Sequence, residues 1–274
     1  MSPWHNNLRT LCLLAALAGL LAALGWTVGG GEGAREALVF ALLAFLFAPR
    51  LSPLLLLRLH QVRPLATHEA PDLYHMVDLL AARAGLATAP VLYLVESPAV
   101  NAFTVDGHPR PAICLTRGIL GYLEPREIFG VLAHEVSHLK HHDIRVMTLG
   151  DLFARLTQLL SLFGQILLVA YLPLLLLGGI RIHWLAFPLL LLAPGLARIL
   201  LLTLSRTREF EADREAVLLS GDAEGLARAL LQIEAAERRV WPLPFFAPEG
   251  PEMFRSHPPT AERIRRLLAT PTAP

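Results

Sequence analysis

The run Leu132-Ala-His-Glu-Val-Ser-His-Leu-Lys140 carries His134, Glu135 and His138 in the order H-E-x-x-H. Residues four apart stack on one face of an α-helix, so the two imidazoles can grip a single metal ion while Glu135 reaches the water it activates. Pro125 suits the first turn of a helix over 125–142, and Ile128, Phe129, Val131, Leu132, Val136 and Leu139 supply apolar positions that fix it in a core. The five-residue pattern alone is equally read as a helix that happens to carry two histidines. The rest of the chain has to decide.

A second segment, Ser205-Arg-Thr-Arg-Glu-Phe-Glu-Ala-Asp-Arg-Glu-Ala216, follows a long apolar stretch and reads as the start of a charged helix. A catalytic zinc keeps three protein ligands and an open position for water, so a carboxylate is what the two histidines lack. Glu209 is the candidate. Asp213 shares its face and is placed to accept from the far nitrogen of a ligand histidine, fixing its tautomer. By itself the segment also fits a solvated, salt-bridging face made of Arg206, Arg208, Glu209, Glu211, Asp213 and Arg214.

The third segment is Ser256-His-Pro-Pro-Thr-Ala-Glu-Arg-Ile-Arg-Arg-Leu267, in which Pro258 and Pro259 fix the chain before a short helix capped by Thr260. These three segments, in this order and with a hydrophobic hairpin between the first two, resemble the HtpX-type membrane zinc metalloendopeptidases, relatives of the CAAX prenyl proteases. The resemblance covers nearly the whole chain. It implies Glu209 as third ligand of one zinc ion per chain, and His257 and Arg263 lining the active site beside Glu135. Ser97-Pro-Ala-Val-Asn-Ala-Phe-Thr104 resembles the family's segment bordering the active site, which implies a substrate-binding role for Asn101, Ala102 and Phe103.

The chain is 54% hydrophobic and 17% charged, with a mean hydropathy of +0.49, so membrane spans are expected. A hydrocarbon core takes about 20 apolar residues. Residues 11–28 are uncharged; 37–57 form a second candidate, interrupted by Pro49, Arg50 and Pro53, that either kinks or ends near Pro49. Residues 156–179 and 184–204 form a second hairpin, with Gln158 and Gln165 expected to face protein or the membrane boundary. Arg9 before an apolar stretch also resembles a signal peptide, but no A-x-A cleavage site is convincing. Arg9, Arg58, Arg63, Arg206, Arg208 and the arginine-rich carboxy terminus all fall on one side of a four-span topology, and the positive-inside rule makes that side the cytoplasm.

The fold expected is a mainly α membrane protein: four transmembrane helices plus a zincin-like (gluzincin) catalytic domain with a small β-sheet. Its parts are the membrane segment 1–59, a first catalytic part 60–151, the hairpin 152–204 and a second catalytic part 205–274. Residues 71–85 read as an amphipathic helix from Pro71 to Gly85, and 223–239 as another. Segments 91–95, 101–105 and 112–116 read as strands, the last two joined by a turn at Asp106-Gly107. An edge strand at 101–105 either holds extended substrate by its backbone or merely packs on the helices. Residues 241–259 are a proline-rich loop.

Several signals exclude. Cys12 and Cys114 fall in a span and a buried strand, which argues against a disulfide. A metzincin needs Gly at 141 and His at 144, where this chain has His141 and Ile144. His141 and His142 are expected to face solvent, with an accessory metal contact left open. A net charge of +1 gives no case for nucleic acid. Charged residues flank the H-E-x-x-H, which argues against a site within the lipid. The expected function is zinc-dependent hydrolysis of polypeptides, including membrane proteins, at the cytoplasmic face of the inner membrane, and the resemblance implies quality control of misfolded membrane proteins. A non-catalytic zinc sensor and a prenyl-protein protease are the alternatives.

Overall fold

The computed structural model describes residues 3–47, 62–105, 110–178, 185–240 and 258–270. In chain order the elements are α1 (Pro3–Phe47), β1 (Val62–Pro64), α2 (Pro71–Ala84), β2 (Val91–Val95), β3 (Ala102–Val105), β4 (Ala112–Thr116), α3 (Arg117–Tyr122), α4 (Pro125–Lys140), α5 (Asp143–Ala170), α6 (Leu172–Leu176), α7 (Ala186–Ser220), α8 (Ala223–Val240) and α9 (Thr260–Leu268). They form two compact units, one of residues 1–49 and 146–205, the other of residues 50–145 and 206–274.

The first unit is apolar. Asn7–Leu46, α5 and α7 are each long and apolar enough to cross a membrane. The first is broken at Gly29 and Gly30, the latter at a left-handed φ of +62° that favours glycine. A Cβ on Gly33 would lie 2.3 Å from the Gly25 carbonyl oxygen, so the two backbones meet where no side chain fits. Along a straight helix, eight residues would separate them by about 12 Å. The chain therefore turns back on itself at the break. Residues 48–57 of the second expected span lie outside the described residues, as does residue 184.

The later hairpin differs from the sequence reading in its helix boundaries. The expected span from 156 starts inside α5, which begins at Asp143, and the expected fourth span and charged helix are one element, α7, which runs through to Ser220. Nothing between 204 and 216 breaks a helix, so the change from apolar to charged residues alters the face, not the backbone. Within α7, Pro194 removes the amide that would bond the Leu190 carbonyl. Ser161 and Gln165 of α5 both donate to that carbonyl, Gln165 at 2.8 Å. Gln165 thus faces protein, as its polarity required.

The second unit has a four-stranded sheet in the order β1-β2-β4-β3. β2 and β4 are parallel, with Val91 opposite Ala112; β1 and β3 pair antiparallel at the two edges. The short β1 gives no sequence signal, since Val-Arg-Pro is too brief to alternate. The turn at 106–107 lies outside the described residues, as do residues 241–257 of the proline-rich loop. α2 ends as its punctuation predicts, with Gly85 at φ +71°. α9 is capped by Pro259, not Thr260: the Pro259 carbonyl accepts from the amides of Glu262 and Arg263, which places Thr260 inside the first turn.

Helix α4 lies in the main core. Ile128, Val131, Leu132, Ala133, Val136 and Leu139 pack with Leu80, Leu92, Ile113, Leu115, Leu226 and Leu267. Its start is fixed by Glu127, whose carboxylate accepts from the Glu124 amide at 2.9 Å. At Gly130 the α8 backbone comes so near that a Cβ would lie 2.9 Å from Leu226 Cα. The helix ends at Lys140 because His142 turns left-handed, with φ +54°.

Gly130→Ala should destabilise the protein by about 1–3 kcal/mol, read as a lower thermal midpoint in detergent, because backbone cannot yield as a side chain can. Ser161→Ala or Gln165→Leu alone should cost roughly 0.6 kcal/mol; the double variant leaves a buried carbonyl unmet and should cost more than their sum.

Candidate functional site

Periodicity brings His134 and His138 to one face of α4, and Glu209 reaches them from α7. His134 Nε2 and His138 Nε2 are 3.1 Å apart, and the Glu209 oxygens lie 3.6 Å and 3.7 Å from them. One ligand atom from each residue falls within 4.8 Å of the others, so the three can hold a metal ion; among the described residues no other group of three histidines, cysteines or carboxylates does so.

The surroundings of the outer ring nitrogens suit the group to a cation. His138 Nδ1 is 2.8 Å from Asp143 Oδ2. His134 Nδ1 lies 3.0 Å from Asp213 Oδ1, short of good hydrogen-bond alignment. Each Nδ1 thus lies beside a carboxylate, an arrangement that favours the tautomer with the Nε2 lone pair turned inward. Two inward lone pairs and a carboxylate repel one another unless positive charge sits among them. Tetrahedral zinc with ligands at about 2.05 Å would place them about 3.3 Å apart, so the donor set and its spacing fit.

The electrostatics say the same of a proton. Burial pulls the His138 pKa down, but the hydrogen bond with Asp143 and the charges of Glu209, Glu135 and Asp143 outweigh it and push it up to about 9. Arg263, buried and held by Asp213 at 2.7 Å and 2.8 Å, has its pKa raised: burial opposes the charge, and Asp213 more than compensates. Its Nη2 is also 3.5 Å from Glu209 Oε2.

Glu135 is buried, one residue around the helix from His134. The Thr104 hydroxyl of β3 donates to its Oε2. Thr104 and Ala102 share the sheet face toward α4, whereas Phe103 packs on the other side with Val105 and Cys114. Asn101 is exposed, its backbone amide and carbonyl both tied to the Thr116 side chain at 3.0 Å and 2.8 Å. Burial, then the Glu135 charge, push the Cys114 thiol up to about 12, which leaves it inert. His257 lies outside the described residues. His142 is exposed, as expected, whereas His141 is half-buried with Nε2 3.9 Å from Glu215.

Sequence reasoning missed Thr104, Asp143 and Arg208. Arg208 is 4% exposed and pairs with Asp143 through both Nε and Nη2, so it is no part of a solvated face. Among the charges on this helix only the fold sorts inward from outward. Thr104 was readable in principle, because strand alternation puts it on Ala102's face.

Residues 67–270 match the family described as Peptidase family M48. The chain belongs to that family. It is 34% identical to a protease HtpX homolog of Pelotomaculum thermopropionicum over 96% of this chain and 99% of that one. A homolog from Methylibium petroleiphilum is 35% identical over 96% and 97% of the two chains. The crystal structure of S. mikatae Ste24p matches with a TM-score of 0.60 at 22% identity, covering 96% of this chain and 66% of that one, which shows a shared fold. The chain is thus an HtpX-type metalloprotease with membrane-spanning helices, and polypeptides are its substrates.

A proton and a metal ion compete for the same place between the histidines. With the His138 pKa raised to about 9, zinc affinity should rise by roughly tenfold per pH unit up to about pH 9 and level off above it. Competition with a chelator across pH 6 to 10 measures this.

Proposed function

We propose that the protein is a zinc-dependent endopeptidase in which His134, His138 and Glu209 hold the ion and Glu135 is the general base. The observation that carries the reading is the meeting of three inward-facing ligands with a buried carboxylate beside an edge strand. Zinc when bound supplies Lewis acidity, polarising a carbonyl and bringing the pKa of water toward neutrality. Glu135 takes the proton of the attacking water and returns it to the departing amine nitrogen. The Thr104 hydroxyl holds one Glu135 oxygen, which directs the other at the water. Asp213 orients His134, while Arg263 keeps Asp213 charged and adds positive potential where the oxyanion develops. His257 has the second oxyanion role in this reading.

Among the described residues β3 pairs only with β4, so its outer edge would offer amides and carbonyls to an extended substrate. Backbone pairing reads little sequence. Asn101, Ala102 and Phe103 would bind substrate there, and a protease of this kind suits misfolded membrane proteins. Among the described residues no fourth histidine, cysteine or carboxylate joins the ligand group, which favours an open coordination position over a closed structural or sensory site.

The reversal at Gly29 and Gly30 divides a 40-residue apolar helix that, straight, would be about 60 Å long, twice a hydrocarbon core. It supports two crossings in that segment and four in the chain. The arginine distribution then supports an inner-membrane protein with its catalytic part in the cytoplasm.

Purified in detergent and tested on casein and on a destabilised membrane protein, Glu135→Gln should retain one zinc and lose cleavage by at least 100-fold, whereas Glu209→Ala should lose both. Substantial proteolysis by Glu135→Gln would sink the mechanism.

A further inference from the structure

Each histidine has an aspartate beside its Nδ1, and each aspartate is paired with a buried arginine. On the His134 side, Asp213 is held by the fork of Arg263. On the His138 side, Asp143 divides its oxygens: Oδ2 takes His138 Nδ1 at 2.8 Å, and Oδ1 takes both Nε and Nη2 of Arg208. Asp143 is 2% exposed and Arg208 4%. A carboxylate buried at that depth is costly without a partner, so the guanidinium is a condition for its place beside His138. A lysine would not replace it, because only the planar fork puts two donors on one oxygen.

We propose that Asp143 and Arg208 are positioning residues of the metal site: Arg208 fixes the Asp143 carboxylate, and Asp143 fixes the ring and tautomer of His138 so that Nε2 faces the ion. The local chain is built for this. His142, at φ +54°, ends α4 and turns the backbone so that Asp143, the first residue of α5, faces back to His138. The amino-terminal end of α5 adds a favourable field for its negative charge. The proposal rests on the reading that His134, His138 and Glu209 hold zinc, and the test separates the two.

Zinc affinity of the full chain in detergent is measured by chelator competition, with the visible spectrum of the cobalt-loaded protein as second readout. Wild type and His138→Ala test the metal reading: equal affinities would refute it and the proposal together. With that difference in hand, Asp143→Ala and Arg208→Met should each bind zinc roughly 10- to 100-fold more weakly and shift the cobalt spectrum. Arg208→Lys should fall between, while Arg214→Met, a charge deletion on the same helix, should match wild type. A merely structural pair would lower the thermal midpoint and leave affinity and spectrum alone; affinities within twofold of wild type for Asp143→Ala and Arg208→Met would overturn the proposal. Should either fail to fold, Asp143→Asn decides: it keeps the shape but not the charge that holds the guanidinium, an approximately tenfold loss is expected, and unchanged affinity overturns the assignment.

Discussion

Charge buried in an apolar interior has to be balanced, and that constraint organises the catalytic unit. Glu135, Asp143, Glu209 and Asp213 are all under 9% exposed, and Arg208 and Arg263 are the buried cations facing them. Four buried carboxylates thus share this region with two guanidiniums. A cation held by His134, His138 and Glu209 would add positive charge among these carboxylates. Removing any of these charges leaves the others uncompensated in a medium where isolated charge is costly.

The fold's part is to hold the helix that carries two of the ligands still. α4 is apolar on its core-facing positions, shut at its start by Glu127 and pressed onto α8 at a glycine. The edge strand then comes to Glu135 through Thr104, so the proposed base is tied to a strand at the edge of the sheet. Rigid elements, not loops, thus set the geometry among the described parts of the site.

How legible this was in the sequence depended on whether a residue's role follows from local spacing. His134, Glu135 and His138 are set by helical periodicity, and β2, β3 and β4 by alternation between turn residues; their placement agrees with the spacing. Glu209 and Asp213 are legible only against what two histidines lack as a metal site. Arg208 and Asp143 could not be read, because their burial depends on a pairing across 65 residues. The continuity of α7 was hidden by an abrupt change of polarity that leaves helix propensity intact. Thr260 failed as a cap because two consecutive prolines moved the first helical carbonyl back by one residue.

Pro194 frees a carbonyl inside an apolar helix, and the donors for it, Ser161 and Gln165, come earlier in the chain. During synthesis those donors are made before the acceptor that needs them. The earlier helix of the hairpin thus already carries the donors when the later one is made. Sliding the pair by one residue would strand the carbonyl in hydrocarbon, so one proline fixes the register of two helices that apolar packing alone would leave free to slip.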